Sequence, residues 1–230
     1  MLSLDNNHGA MTDEELKNIA DQLKEPHGTK GIDMAAMMHE TNIGMTVSAI
    51  ESLAIVDDDT MLELGHGNAG HLKYIFDEHP TIHYYGLETS LLMHEEAQTS
   101  NQAYVTRGQA TFHLYDGTNI PFGENSFGKI FTVNTLYFWT NPLDLLSSLY
   151  RVLKPGGRLS ITFAQKSFME TLPFTRFGFE LYDTEKAKAL IALTSFTLID
   201  VLTKTERVKN KIGELVDRAY TTLTVTKRTS

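Results

Sequence analysis

The sequence predicts an α/β fold: a doubly wound sheet of seven strands, mostly parallel, ending in an antiparallel hairpin and preceded by N-terminal helices. Three observations lead there. Strand-like runs alternate with helical patterns between residues 60 and 193, which is the signature of βαβ units with right-handed crossovers. The first of these runs ends in a turn spelled Gly65-x-Gly67-x-x-Gly70. The last two runs, 196–207 and 214–227, are rich in Thr, Val, Leu and Ile and flank a polar turn at 209–213, so they pair with each other.

Each element has its own local reason. The first ten residues are polar and are expected to fray. Thr12 and Glu15 have the spacing of a capping box, and Leu16, Ile19, Ala20 and Leu23 follow at helical period. That helix runs to about Lys24, where Pro26 and Gly28 stop it. A second helix is expected over 32–53 and carries Met34, Met37, Met38 and Met45. The sheet region then reads as strand 60–64, helix 69–78, strand 82–87, helix 91–106 and strand 110–115. Strand 129–133, helix 143–153, strand 158–163 and helix 184–193 complete it before the hairpin. Residues 1–58 would form a helical cap or lid on a core of 59–230, as one compact domain overall.

Composition narrows the function classes. Twenty Lys and Arg against 29 Asp and Glu leave a net charge of −9, which argues against a nucleic-acid-binding face. The basic residues that cluster, from Lys204 to Lys211, are interleaved with Glu206 and read as a solvated strand and turn. With no cysteine there is no disulfide and no thiolate zinc site, and the nine histidines show no metal-ligand spacing, so no metal is expected. The start has no basic leader, and no apolar run approaches membrane-spanning length. A cytoplasmic protein without a membrane span, monomeric or homodimeric, is the expectation.

The glycine turn follows a strand and opens a helix. There a ligand can approach bare backbone beside N–H groups at a helix N-terminus. By itself it fits several readings. It satisfies the dinucleotide fingerprint, with Glu88 placed 18 residues past Gly70 to accept from ribose hydroxyls. Tyr182 and Lys186 also fit the Tyr-x-x-x-Lys pair of an NAD(P)-dependent oxidoreductase. A strand-to-helix turn without any ligand is the bland alternative.

Motifs elsewhere carry a resemblance. Arg151-Val152-Leu153-Lys154-Pro155-Gly156-Gly157-Arg158-Leu159 resembles the R-V-L-K-P-G-G-x-L segment of class I S-adenosylmethionine-dependent methyltransferases. Met61 to Gly67 resembles their first motif, and Gly86-Leu87-Glu88 their acidic second-strand end. Asp116-Gly117 with Ile120-Pro121-Phe122, then Asn125-Ser126-Phe127 and Asn134 to Trp139, follow in the same order. The match covers residues 59–163 and is similar to the small-molecule branch of ubiquinone and menaquinone biosynthesis.

The resemblance implies a Rossmann-like fold and S-adenosylmethionine as cofactor, leaving as S-adenosylhomocysteine. It implies methyl transfer to a small-molecule acceptor, driven by alignment and desolvation. Residue by residue, Gly65 and Gly67 would carry the methionine part, Glu63 its amino group, and His66 and Asn68 the rest of the loop. Glu88 and its neighbour Thr89 would hold the ribose, Asp116 and Gly117 the adenine edge, and Met93 its face. Asn134 would stand at the methionine end. Tyr137 and Trp139 could face a planar or cationic acceptor, with about 0.5–2 kcal/mol available from a cation–π contact. Met38, on the N-terminal cap, and Phe174, in the aromatic 168–179 stretch, are further candidate acceptor contacts. Phe138 reads instead as core. Candidate bases are Tyr137, His39 and His66.

Two departures stand out. Ala69 replaces a family glycine and is expected to start the following helix. Gly128 replaces an Asp that commonly helps hold the first-motif loop, which puts the loop's rigidity in question and keeps a non-catalytic cofactor-binding module open.

Overall fold

A computed structural model describes residues 11–209 and 215–229. Strands β1 (Thr60–Leu64), β2 (His83–Glu88), β3 (Ala110–Leu114), β4 (Phe127–Val133) and β5 (Leu153–Ala164) run parallel in the order β3-β2-β1-β4-β5. β6 (Thr197–Lys209) and β7 (Leu215–Thr226) add the antiparallel hairpin, with β7 against β5 and β6 on the edge. The chain reverses its direction of travel across the sheet between β1 and β4, so the crevice for ligands opens at the carboxyl ends of these two strands.

β1 shows why the sheet has helices on both faces. Its side chains alternate: Met61 joins the core shared with Tyr84 and Phe131, and Leu62 and Leu64 join the opposite core with Ile130 and Phe163. Only Glu63 breaks the apolar run, and it is buried. Helices α3 (Leu72–Glu78), α4 (Leu91–Ser100), α5 (Gln102–Thr106), α6 (Pro142–Val152) and α8 (Thr184–Ala192) cover the two faces, and the short α7 (Lys166–Met169) follows β5.

The N-terminal helices close over the crevice. α1 (Asp13–Lys24) begins with the expected capping box, Thr12 and Glu15 each bonding the other's backbone, and sets Leu16 and Ala20 against Phe174. α2 (Gly28–Ser52) is one helix of 25 residues that starts four residues earlier than the pattern suggested, at Gly28 itself. Met45, Ala49 and Ile50 on its inner face are fully buried against the sheet. No described helix is long and apolar enough to cross a membrane.

Three boundaries differ from expectation for physical reasons. α3 starts at Leu72 because Ala69 lies in the left-handed region at φ +50°, outside any helix. The helix expected over 91–106 breaks at Asn101, whose Nδ2 donates to the carbonyls of Ala97 (3.0 Å) and Ala69 (3.3 Å), so one side chain ends α4 and tethers the glycine loop. β5 begins at Leu153, five residues early. Lys154 to Gly157 form an irregularity inside the strand: Phe127 pairs with Leu153 but Lys129 with Arg158, and Gly156 turns at φ +77°. The ten N-terminal residues and positions 210–214, which contain most of the expected 209–213 turn, lie outside the described residues.

The hairpin outruns the sheet. β5 last pairs β7 at Ala164–Tyr220, yet β6 and β7 continue to pair from Thr205–Ala219 to Lys209–Leu215. This two-stranded arm extends about 17 Å at roughly 3.4 Å per residue. It packs on α2, where Arg218 bonds Glu206 Oε1 (2.7 Å), Asn42 Oδ1 (2.8 Å) and the Thr41 carbonyl. Glu206, expected to be solvated, is instead pressed onto Gly44 of α2, and a Cβ there would sit 2.2 Å from Glu206 Oε2.

Candidate cofactor and acceptor site

The eleven residues proposed for the cofactor line one cavity of about 490 Å³ at the carboxyl ends of β1, β2 and β4: Glu63, Gly65, His66, Gly67, Asn68, Glu88, Thr89, Met93, Asp116, Gly117 and Asn134. Met38, His39 and Trp139 join them. The loop after β1 is held by backbone. Gly65 N donates to Leu87 O (2.8 Å), Gly67 N to Glu88 Oε2 (2.9 Å), and Thr132 Oγ1 to Leu64 O (2.9 Å). Gly65 needs its φ of +72° and its bareness, because a Cβ would sit 2.5 Å from Thr135 Cγ2. Ala69 holds a left-handed conformation at a cost of about 1–2 kcal/mol relative to glycine.

Gly128 does not bear on this loop. It lies at the amino end of β4, beside Asp59 and Thr60, at the opposite end of the strands from Gly65. A Cβ there would meet Asp59 Oδ1 at 2.8 Å, and the Asp59 carboxylate already accepts from Val56 N and pairs with Lys129 at 3.6 Å. The expectation that this glycine loosens the loop is therefore corrected, and the support it lent to a non-catalytic module goes with it.

The carboxylates are held in different ways. Glu63 is buried, and its Oε2 accepts from His71 Nε2 (2.7 Å) and from the Tyr84 hydroxyl. Burial, then the charge of Glu63, pushes Tyr84 well above the usual phenol range, which keeps it a donor. Glu88 Oε1 accepts from the backbone of Thr89 (2.8 Å) and Ser90 (3.0 Å) while Oε2 reaches Gly67. It thus ties the end of β2 to the glycine loop. Asp116 is exposed at the rim. Bonds from Asn119 and Thr118, backbone and side chain, hold its carboxyl well below the usual carboxylate range. Asn68 Oδ1 accepts from Gly70 N at 3.1 Å.

The candidate bases separate clearly. His66, read as a loop side chain that could meet a ligand or stand exposed, turns inward: it is 4% exposed, packs at a tilt with its ring 4.9 Å from Phe112 and lies over Gly86. Its Nδ1 is 2.7 Å from Gly67 O and so carries the proton, while Nε2 is buried without a partner among the described residues. Burial lowers its pKa to about 4. Tyr137 is buried as well. Its hydroxyl accepts from Ala164 N (2.6 Å) and donates toward Asn134 Oδ1 (3.0 Å) or Ala164 O (3.1 Å), and burial raises its pKa. A phenol so placed braces the loop after β4 and is a poor proton acceptor, which overturns its reading as a base. His39 on α2 is half-buried, with its ring against Gly70, and burial followed by the nearby His71 lowers its pKa, so it stays neutral at neutral pH.

A second cavity of about 680 Å³ adjoins the first. Met37, Met38, Phe168, Met169, Leu172, Phe174 and Phe179 give it an apolar lining, and Val208, Lys209, Val216, Asp217 and Arg218 of the arm form another wall. Leu23, Met38, Asn42, Asn134 and Phe138 line both cavities, so the two meet there. Met38, Phe174 and Tyr137 thus fall on the second cavity, whereas Trp139 faces the first and donates its Nε1 to Thr135 Oγ1 (3.1 Å). Asn134 adopts φ +59°, with Oδ1 taken by Tyr137 and Ala164.

Several residues at the junction escape the sequence reading. Phe138 packs 4.7 Å from Phe179, as core expectation had it, yet it also borders both cavities. Asn42 and Arg218 had no local signal, since only the return of the arm onto α2 brings them to the cavity. The oxidoreductase pair does not assemble. Tyr182 is buried against Phe163 ahead of α8, Lys186 lies over its ring at 4.5 Å, and neither lines either of these two cavities.

A sheet of this strand order with a C-terminal hairpin and a glycine loop at the switch point defines a Rossmann-like methyltransferase fold. Comparison with known proteins agrees: residues 62–161 match the family described as "Methyltransferase domain". Residues 62–161 thus resemble a methyltransferase domain, and the sheet has the Rossmann-like fold of the methyltransferases it superposes on. It is 35% identical over 80 residues to the demethylmenaquinone methyltransferase of Clavibacter sepedonicus, covering 35% of this chain and 31% of that one. Among solved structures, a chain of the complex between the Haloferax volcanii Trm112 methyltransferase activator and a methyltransferase superposes with TM-score 0.72 at 14% identity, covering 96% of this chain and 100% of that one. Haemonchus contortus phosphoethanolamine N-methyltransferase 2, in complex with S-adenosyl-L-methionine, superposes with TM-score 0.67 at 16% identity, covering 96% and 61%. The chain spans 19%, 49% and 62% of the length of three other curated relatives it matches.

Proposed function

We propose that this protein transfers the methyl group of S-adenosylmethionine to a small-molecule acceptor. The observation that carries the reading is the pair of cavities, one polar and built on the glycine loop, one apolar, meeting at Met38, Asn134 and Phe138. Donor and acceptor held on either side of that junction would lie close together, the arrangement an in-line displacement needs.

The polar cavity fits the cofactor in its donor set. Bare backbone at Gly65 and Gly67 admits close approach, and Glu63 offers a buried carboxylate for an ammonium. Glu88 would accept from ribose hydroxyls, sharing oxygens already engaged by backbone N–H groups. Thr89, Asp116 and Gly117 would border the adenine, with Met93 against its face. The cofactor supplies an activated methyl sulfonium. The chain's own work is to hold, align and exclude water, with α1 and α2 as the cover. Where the accepting atom carries a proton, His39, which borders the first cavity, would be the group to take it, being neutral at neutral pH.

The test is formation of S-adenosylhomocysteine when the protein is incubated with S-adenosylmethionine and a set of apolar ring compounds bearing hydroxyl, amine or thiol groups. Acceptor-dependent release supports the proposal. Tight cofactor binding with no release on any acceptor supports a binding module instead.

A further inference from the structure

The polar feature least expected in the acceptor cavity is Arg218. Its side chain is 7% exposed, yet it forms part of the wall of a cavity otherwise lined mostly by apolar residues. A buried arginine is stable only when its donors are matched. Nε and one Nη2 proton go to Glu206 Oε1 (3.1 and 2.7 Å), the other Nη2 proton to Thr41 O, and one Nη1 proton to Asn42 Oδ1 (2.8 Å). Guanidinium has five N–H donors, and these bonds use four. The fifth, on Nη1, has no partner among the described residues. Asn42, which receives the first Nη1 proton, borders both cavities, so this end of Arg218 lies toward the side where donor and acceptor sites meet.

Resting on the methyl-transfer reading of the two cavities, we propose that the acceptor is an apolar ring compound carrying a carboxylate or carbonyl oxygen, which Arg218 binds through Nη1. An oxygen placed on a buried guanidinium makes a charge-assisted hydrogen bond, stronger than a neutral one. A hydrocarbon of the same shape leaves that donor unmatched and loses this discrimination. Glu206 shares the guanidinium and opposes an incoming carboxylate, so it sets how strongly the site prefers an anion. Lys209 and Asp217 on the same wall offset one another, which leaves Arg218 and Glu206 to set the local preference.

The test uses the full chain saturated with S-adenosylhomocysteine and three probes of equal shape: 2-naphthoate, 2-acetylnaphthalene and 2-ethylnaphthalene, titrated by calorimetry. Naphthoate and the ketone should bind at least tenfold more tightly than the ethyl compound. Arg218→Gln should erase that preference while leaving ethylnaphthalene affinity within about threefold. Because that change also loosens the arm, Glu206→Gln provides the separating measurement. It removes the competing carboxylate and should tighten naphthoate severalfold, whereas an Arg218 that only latched the arm to α2 would make Glu206→Gln weaken all three probes alike. Equal affinity for the three probes in the unaltered protein, or uniform weakening in Glu206→Gln, overturns the proposal. Failure of S-adenosylhomocysteine to bind at the outset would count against the methyl-transfer reading itself.

Discussion

Replacing Gly86 with alanine should disturb the glycine loop from beneath, by way of His66 and not through the carboxylates of Glu63, Glu88 or Asp116. Gly86 sits in β2 under His66, and a Cβ built there would lie 2.5 Å from His66 Cδ2 and 3.0 Å from Phe112 Cδ1. Both distances are below carbon contact: Phe112 is held against Tyr84 at 5.9 Å, and His66, which borders the cavity, can move only by giving up the bond from Nδ1 to Gly67 O. Overpacking of this kind costs about 1–3 kcal/mol. For a chain of this size that corresponds to a fall in Tm of roughly 2–4 °C per kcal/mol. The easier relaxation swings His66 out and moves Gly67 off Glu88, so S-adenosylhomocysteine affinity should fall by about tenfold, or 1.4 kcal/mol. Thermal melts and calorimetry on Gly86→Ala, His66→Ala and the double variant give the coupling. The double variant should lose less than the sum of the two singles, because removing the imidazole removes the clash. A Gly86→Ala protein with unchanged Tm and affinity, or a double variant that is strictly additive, would refute the packing argument.

Other outcomes follow from the same structure. Ala69→Gly should raise stability by about 1 kcal/mol, read as a higher melting temperature, since glycine relieves the left-handed strain; a lower Tm would mean the strain is absent. His66, at about 4 in the fold against an ordinary 6.5, binds its proton more readily when unfolded. Stability is therefore fully present above 6.5 and declines as pH falls toward 4, by on the order of 3 kcal/mol from this residue alone. Denaturant melts across that window should show the slope, and it should flatten in His66→Phe. Tyr137→Phe should lower stability by about 1–2 kcal/mol through the lost bonds to Asn134 and Ala164 while leaving the pH profile of turnover unchanged. A profile that shifts would restore Tyr137 as a proton acceptor.

The order of strands and helices was legible because each strand is a short apolar run bounded by turn residues, and the hairpin because its two runs flank a polar turn. The grouping of residues around the first cavity was legible for the same reason: the residues at the carboxyl ends of β1, β2 and β4 are set by where each strand stops. What eluded the sequence depends on contacts made across it. Asn101 gave no sign of ending a helix, since its partner Ala69 is 32 residues away. Gly128 was expected near the start of β4, yet the sequence does not show that this end lies opposite the glycine loop. His66 read as exposed because a histidine between two glycines says nothing of the bare strand residue Gly86 beneath it. Arg218 reaches the second cavity only because the arm folds back onto α2, a contact 176 residues long in sequence at Asn42.

Calorimetry of S-adenosylhomocysteine and NADH on the unaltered protein and on Glu88→Ala tests the central claim most directly. The account predicts binding of S-adenosylhomocysteine without NADH, weakened at least tenfold when Glu88 is removed. Binding of NADH without S-adenosylhomocysteine, or equal affinity in the two proteins, would contradict it.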